Sequence, residues 1–163
     1  SARAPISLGE NSFAWYQVDF SSGKPVYNSQ QEEASRAILI KFISQIKVKY
    51  LVNPNEIYLC GFSQGAIMSY SIGLTHPELI KGIAVMSGRL LEEIKPVIAA
   101  KDKVQNLKVF ISHGTNDNTL QINYARQAFE YLKLLNLNPT FKEYPEGHTI
   151  SKEMLIDLIK WLQ

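Results

Sequence analysis

The sequence predicts a single α/β domain over residues 1–163, built on a mostly parallel sheet with helices on both faces. Three observations predict it. From residue 57 onward, short apolar runs alternate with longer helical patterns, which is the rhythm of βαβ units. At 163 residues the chain is one domain by length, large enough for a sizeable core. Lastly, a serine bracketed by glycines, Gly61-Phe62-Ser63-Gln64-Gly65, stands between one apolar run and the helix after it.

Residues 1–28 read as loops, broken by Ala4-Pro5, Gly9, Gly23-Lys24-Pro25 and Asn28. A short extended piece falls within Phe13 to Phe20, where Trp15 and Tyr16 form an aromatic pair suited to core packing or to lining a pocket. A long helix follows. Ser29 is its expected N-cap and Glu32 the residue reaching back, a capping box. Ala34, Ile38, Phe42 and Ile46 form its apolar stripe, and Asn53-Pro54-Asn55 ends the segment.

Then the alternation begins. Ile57 to Gly61 reads as a strand and Ser63 to Thr75 as a helix stopped by His76-Pro77. Lys81 to Met86 is a second strand, and Leu91 to Lys103 is helical with an interruption at Pro96. Leu107 to Ser112 is a third strand. Leu120 to Asn136 is an amphipathic helix with Ala125, Ala128, Phe129, Leu132 and Leu135 on one face. Thr140 to Tyr144 is a fourth strand. Ile150 to Leu162 closes the chain, with Met154, Leu155, Leu158, Ile159 and Leu162 apolar.

Composition excludes several function classes. The net charge of +2 is spread over scattered cations and argues against a nucleic-acid or membrane-surface partner. No apolar run reaches the roughly 18 residues of a membrane span. A single cysteine, Cys60, rules out an internal disulfide framework and fits a reducing, cytoplasmic setting. Its place in an apolar strand predicts a buried structural thiol. A homodimer is compatible with this composition.

Function in parallel sheets sits in the loops at the carboxyl ends of the strands. Those loops carry Ser63, then His113-Gly114-Thr115-Asn116-Asp117, then Glu146-Gly147-His148. A serine, an acid and a histidine in that order, on different strands, is the arrangement expected of an α/β-hydrolase. Gly61 and Gly65, lacking Cβ atoms, let the chain turn sharply enough to project the Ser63 hydroxyl. A neutral alcohol is a poor nucleophile and needs a base. Of the three histidines, His76 precedes a proline at a helix end, and His113 sits at a strand end placed to brace the acid loop. His148, after Gly147, is the expected base. Asp117 is the expected orienting acid, ahead of Glu143 and Glu146; its competing role is to cap the following helix. The Gln64 backbone N–H is the expected oxyanion donor. The second donor ordinarily comes from a loop after an earlier strand, and no such segment lies between Ser1 and the elbow. An N-terminal portion of two to four strands is therefore expected to be absent from this chain. No clustered ligand pattern calls for a metal, and no cofactor is expected.

Four segments resemble the phospholipase/carboxylesterase family, which includes acyl-protein thioesterases and small bacterial carboxylesterases. They are Gly61-Phe62-Ser63-Gln64-Gly65, Val85-Met86-Ser87-Gly88-Arg89-Leu90, His113-Gly114-Thr115-Asn116-Asp117 and Gly147-His148. Arg3-Ala4-Pro5 and Ala14-Trp15-Tyr16 resemble that family's segment after its fourth strand. The resemblance covers essentially the whole chain. It implies a serine carboxylesterase acting on lipid-like or small acyl esters or thioesters, with Ser63, Asp117 and His148 as the catalytic residues. It also implies that Trp15 and Leu120 line the acyl pocket. A peptidase or another hydrolase on the same fold, and a non-catalytic interaction module carrying a relict elbow, are the alternatives; covalent labelling of Ser63 separates the last of these from an enzyme.

Overall fold

The computed structural model describes residues 3–19, 21, 26–53 and 55–163. Phe20, Gly23-Lys24-Pro25 and Pro54, read above as loop or boundary residues, lie outside them. The chain packs as two compact units, Ser1–Asn53 and Pro54–Gln163.

The first unit holds two small antiparallel hairpins and a long helix. Strand β1 (Ile6–Gly9) pairs with β2 (Ser12–Ala14), and β3 (Val18–Asp19) pairs with β4 (Val26–Tyr27). The sequence reading expected mostly loop here. The strands are two to four residues long, too short for an alternating pattern to register. Asn11, in left-handed backbone at φ 57°, makes the turn of the first hairpin. Helix α1 spans Ser29–Lys49. Its N-cap is Asn28 rather than Ser29: the Asn28 side chain accepts from the Gln31 N–H at 3.0 Å. Both residues cap well, so the pattern left the cap ambiguous by one position. The buried face also differs from the expected stripe. Glu32, Ser35 and Ile43 are buried, whereas Ala34 and Ile38 are exposed. A polar anchor sets this rotation, because the Ser35 hydroxyl donates to the Trp15 carbonyl.

The second unit carries the sheet. Strands β5 (Tyr58–Phe62), β6 (Gly82–Met86), β7 (Lys108–Gly114) and β8 (Thr140–Tyr144) lie side by side in chain order, all parallel. Each agrees with its expected strand within two residues. Phe62 pairs with Met86 and Met86 with Ser112, while His113 pairs with Glu143. The four carboxyl ends therefore finish almost level. β6 is buried at every position, the continuous burial of a strand covered on both faces.

Helix α2 (Gln64–Thr75) is buried without interruption from Ala66 to Leu74, as expected for a helix apolar all round. It lies on the Ile83 side of the sheet: a Cβ on Gly73 would stand 2.7 Å from Ile83 Cγ2. The segment after β6 forms a 3₁₀ turn over Glu92–Val97 and a short helix α3 (Lys101–Val104) instead of one interrupted helix. Pro96 removes a donor from the helical ladder, which accounts for the break. Helix α4 (Ile122–Leu134) buries Ala125, Ala128 and Leu132 from the expected face. Helix α5 (Lys152–Leu162) is capped by Ser151, whose side chain accepts from the Met154 N–H at 3.3 Å. It covers the opposite side of the sheet. There Leu158 and Trp161 pack with Ala84, Met86, Phe110 and Phe62. Trp161 stands against the rings of Tyr58 and Phe110 at 5.5 and 5.7 Å. The apolar set read for α5 splits: Met154 and Leu158 are buried, while Leu155, Ile159 and Leu162 are exposed.

Cys60 is exposed rather than buried. It lies on β5, the edge strand of the described sheet, where cover is thinner than on β6 and β7. Among the described residues no helix is long and apolar enough to cross a membrane.

Candidate active site

Ser63 occupies the turn from β5 into α2 with φ 53° and ψ −118°, backbone that L-residues rarely adopt. The strain is held by its surroundings. The Ser63 N–H donates to the Met86 carbonyl on β6 at 3.0 Å, and its carbonyl accepts from Ile67 N–H in the first turn of α2 at 3.1 Å. Gly61 permits the turn: a Cβ there would stand 2.2 Å from the Gly65 carbonyl oxygen. Gly65 behaves differently from the sequence expectation. A Cβ on it meets nothing within 4 Å, so the turn itself needs only the first of the two glycines.

His148 is carried by the loop between β8 and α5. Two loops are laced together to place it. Thr115 N–H donates to the Tyr144 carbonyl at 2.7 Å, and Asn116 N–H to the Glu146 carbonyl at 2.9 Å. Gly114 makes the approach possible, since a Cβ on it would meet the Glu146 and Gly147 carbonyl oxygens at 2.3 and 2.5 Å. The ring then lies between two partners. His148 Nε2 is 2.9 Å from Ser63 Oγ, and Nδ1 is 2.7 Å from Asp117 Oδ2. A carboxylate only accepts, so Nδ1 carries the proton and Nε2 presents its lone pair to the hydroxyl.

Asp117 is buried and fully partnered. Its Oδ1 accepts from the N–H groups of Thr119 and Leu120 at 2.9 and 2.8 Å, while Oδ2 takes His148. Burial alone would raise its carboxyl pKa. The His148 bond and the two backbone donors outweigh it and hold the group below the usual carboxylate range. The competing role, capping the next helix, is refined by this geometry. Helix α4 starts at Ile122 with Gln121 as its N-cap, and Asp117 closes the turn before it. One oxygen shapes the loop and the other faces the imidazole.

Gln64 is the first residue of α2, directly after Ser63, where backbone N–H groups and the helix dipole favour negative charge. Leu120 is half-buried, with its backbone tied to Asp117. Trp15 belongs to the first unit, where it follows β2 and accepts from Ser35. Its assignment to an acyl pocket rests on the family resemblance, as does that of Leu120.

Two neighbours join the site: Phe62, which the sequence does not mark, and His113, which it places as a brace for the acid loop. Phe62, the variable position before Ser63, stacks against His148 at 4.8 Å between centroids in a tilted arrangement. His113 is fully buried; its Nε2 lies 2.6 Å from the Leu120 carbonyl and 3.3 Å from Asp117 Oδ2. Its position at a strand end hinted at a brace, but no sequence pattern specifies its partner. Among the described residues no group of three or more His, Cys, Asp or Glu side chains is arranged to hold a metal ion.

The phospholipase/carboxylesterase family profile matches residues 3–163. A probable carboxylesterase, SOBER1-like, of Arabidopsis thaliana is 31% identical over 157 residues, covering 92% of this chain and 58% of that protein. Acyl-protein thioesterase 1 of Kluyveromyces lactis is 29% identical over 155 residues, covering 91% of this chain and 67% of that protein. The chain thus spans only part of the length of these relatives. The crystal structure of Arabidopsis thaliana SOBER1 superposes with a TM-score of 0.76 at 25% identity, covering 91% of this chain and 72% of that one. With the parallel sheet flanked by helices, these matches show an α/β-hydrolase fold, and the chain belongs to the phospholipase/carboxylesterase family.

Proposed function

We propose that this protein hydrolyses carboxylic esters or thioesters of lipid-like or small acyl groups through an acyl-enzyme on Ser63. The observation that carries this reading is the relay from Ser63 Oγ through the His148 ring to Asp117, with separations of 2.9 and 2.7 Å. The names of its relatives, carboxylesterases and acyl-protein thioesterases, support the bond type.

His148 Nε2 takes the Ser63 proton as Oγ attacks the acyl carbonyl carbon. The imidazolium so formed is stabilised by the Asp117 carboxylate, whose charge is favoured by its three hydrogen-bond donors, His148 and the Thr119 and Leu120 N–H groups. Negative charge gathers on the former carbonyl oxygen, and the Gln64 N–H at the start of α2 is its donor. His148 then hands its proton to the departing alcohol or thiol. Water, deprotonated by the same nitrogen, attacks the acyl-Ser63 ester; the acyl–Oγ bond breaks, the acid leaves and the proton on His148 returns to Ser63 Oγ. Leu120 contributes apolar contact to the acyl chain in this reading.

Fluorophosphonate labelling tests the reading. The protein is expected to be labelled at Ser63, and Ser63→Ala is expected to lose both the label and turnover of p-nitrophenyl acetate. Turnover retained by Ser63→Ala, or an unlabelled wild-type protein, overturns it.

A further inference from the structure

Esterase chemistry, as proposed above, uses one imidazole, yet a second reaches the same carboxylate. We propose that His113 is a positioning residue for that reaction, resting on the esterase reading: a neutral, Nε2-protonated ring that clamps the Asp117–Leu120 turn and so fixes the oxygen His148 must find.

The geometry is closed. His113 Nε2 lies 2.6 Å from the Leu120 carbonyl, which only accepts, so Nε2 carries the proton. The next bond along comes from the other side of the same residue, where Leu120 N–H donates to Asp117 Oδ1 at 2.8 Å. Leu120 is therefore gripped at its carbonyl by the strand-end imidazole and at its amide by the carboxylate. The same Nε2–H also lies 3.3 Å from Asp117 Oδ2, the oxygen bonded to His148. The second ring nitrogen, Nδ1, is buried and has no hydrogen-bond partner among the described residues. A proton placed there would be an unsatisfied buried donor. Burial opposes the charged ring in the same direction.

Neutrality matters to function. A cationic His113 would offset the charge of Asp117, the charge that stabilises the His148 imidazolium. A neutral ring supplies only an N–H dipole, so it orients the carboxylate without competing for it. Its contribution is to the transition state, where the His148–Asp117 bond is under most demand, and not to substrate binding.

The test uses His113→Leu, which fills the site without a donor, and His113→Gln, whose amide N–H still donates. His113→Leu is expected to lower kcat by about 10–100-fold, the scale of losing a partner that orients a working ligand, with KM little changed. The low-field proton resonance of the His148 Nδ1–H is expected to shift or broaden with it. His113→Gln is expected to recover most of kcat. Equal kcat in wild type and His113→Leu, or equal loss in both variants with the low-field proton unmoved, would reduce His113 to core filling. Should His113→Leu fail to fold, ¹⁵N shifts of the wild-type ring decide: Nε2–H supports the clamp and an Nδ1–H tautomer sinks it. Ser63-dependent turnover of p-nitrophenyl acetate is measured alongside. Its absence in wild type defeats the esterase reading, while the ring tautomer still judges the clamp.

Discussion

Ser63 and His148 meet at 2.9 Å, but they are held there by opposite means. Ser63 is held locally. A strained residue at φ 53°, one glycine two positions before it and the first turn of α2 define its place within a few residues. His148 sits in a loop of ordinary chemistry, fixed by backbone bonds to the loop after β7 and by the closeness that Gly114 allows. The placement of Ser63 is a property of a short peptide; that of His148 is a property of three strand ends brought level by a parallel register. The first kind of site can be read from one motif. The second is readable only once the loops at the strand ends are listed together.

Substitutions can break each side of this contrast separately. Asp117→Asn is expected to do most damage, about 10⁴-fold in kcat, because the amide favours the wrong imidazole tautomer; steady-state turnover checks it, with thermal melting to show that the variant is folded. Gly61→Ala should cost about 3 kcal/mol, since its Cβ would lie 2.2 Å from a backbone oxygen that cannot yield. Urea denaturation measures that. Gly114→Ala should lower kcat about 10²-fold by pushing the His148 loop outward, the cost of a misplacement near 1 Å, while Ser63 keeps its strained conformation. Gly65→Ala is expected to be the mildest: its Cβ meets open space and alanine favours the helix, so stability should rise by up to about 1 kcal/mol.

Acid should act on the His148 side of the contrast. The unfolded chain takes up a proton on His113 near the ordinary imidazole value of about 6.5, whereas burial holds the folded ring lower. The stability tied to its neutral form is therefore complete above that value and is lost as pH falls toward the folded one. Asp117 follows the same sign lower down, below about 4. The Tm of the wild type should drop more between pH 7.5 and 5.5 than that of His113→Gln.

Much of the fold was legible because it depends on short-range signals. Strands β5 to β8 stood out as apolar runs bounded by breakers, and Ser63, Asp117 and His148 each fell at the end of one. What was not legible depended on contacts. Asn28 rather than Ser29 caps α1 because two adjacent residues cap equally well in sequence. The rotation of α1 follows from the Ser35 bond to Trp15, which no periodicity encodes. Cys60 reads as core by its neighbours, but is exposed on the edge strand of the described sheet. His113 reads as a brace for the acid loop, but that its partner is the Leu120 carbonyl shows only in the fold. Phe62 sits at a position any residue fills in the pentapeptide, and only the fold turns its ring toward His148.

The chain has two tryptophans, and they are divided between the two units: Trp15 in Ser1–Asn53 and Trp161 in Pro54–Gln163. Trp161 lies against Tyr58 and Phe110, so its emission registers the seating of α5 on the sheet. Trp15, tied to α1 through Ser35, registers the hairpin unit. Exchanging either for phenylalanine leaves a single fluorophore on the other unit. The protein thus carries its own optical assay of whether its two halves melt as one cooperative body or in sequence.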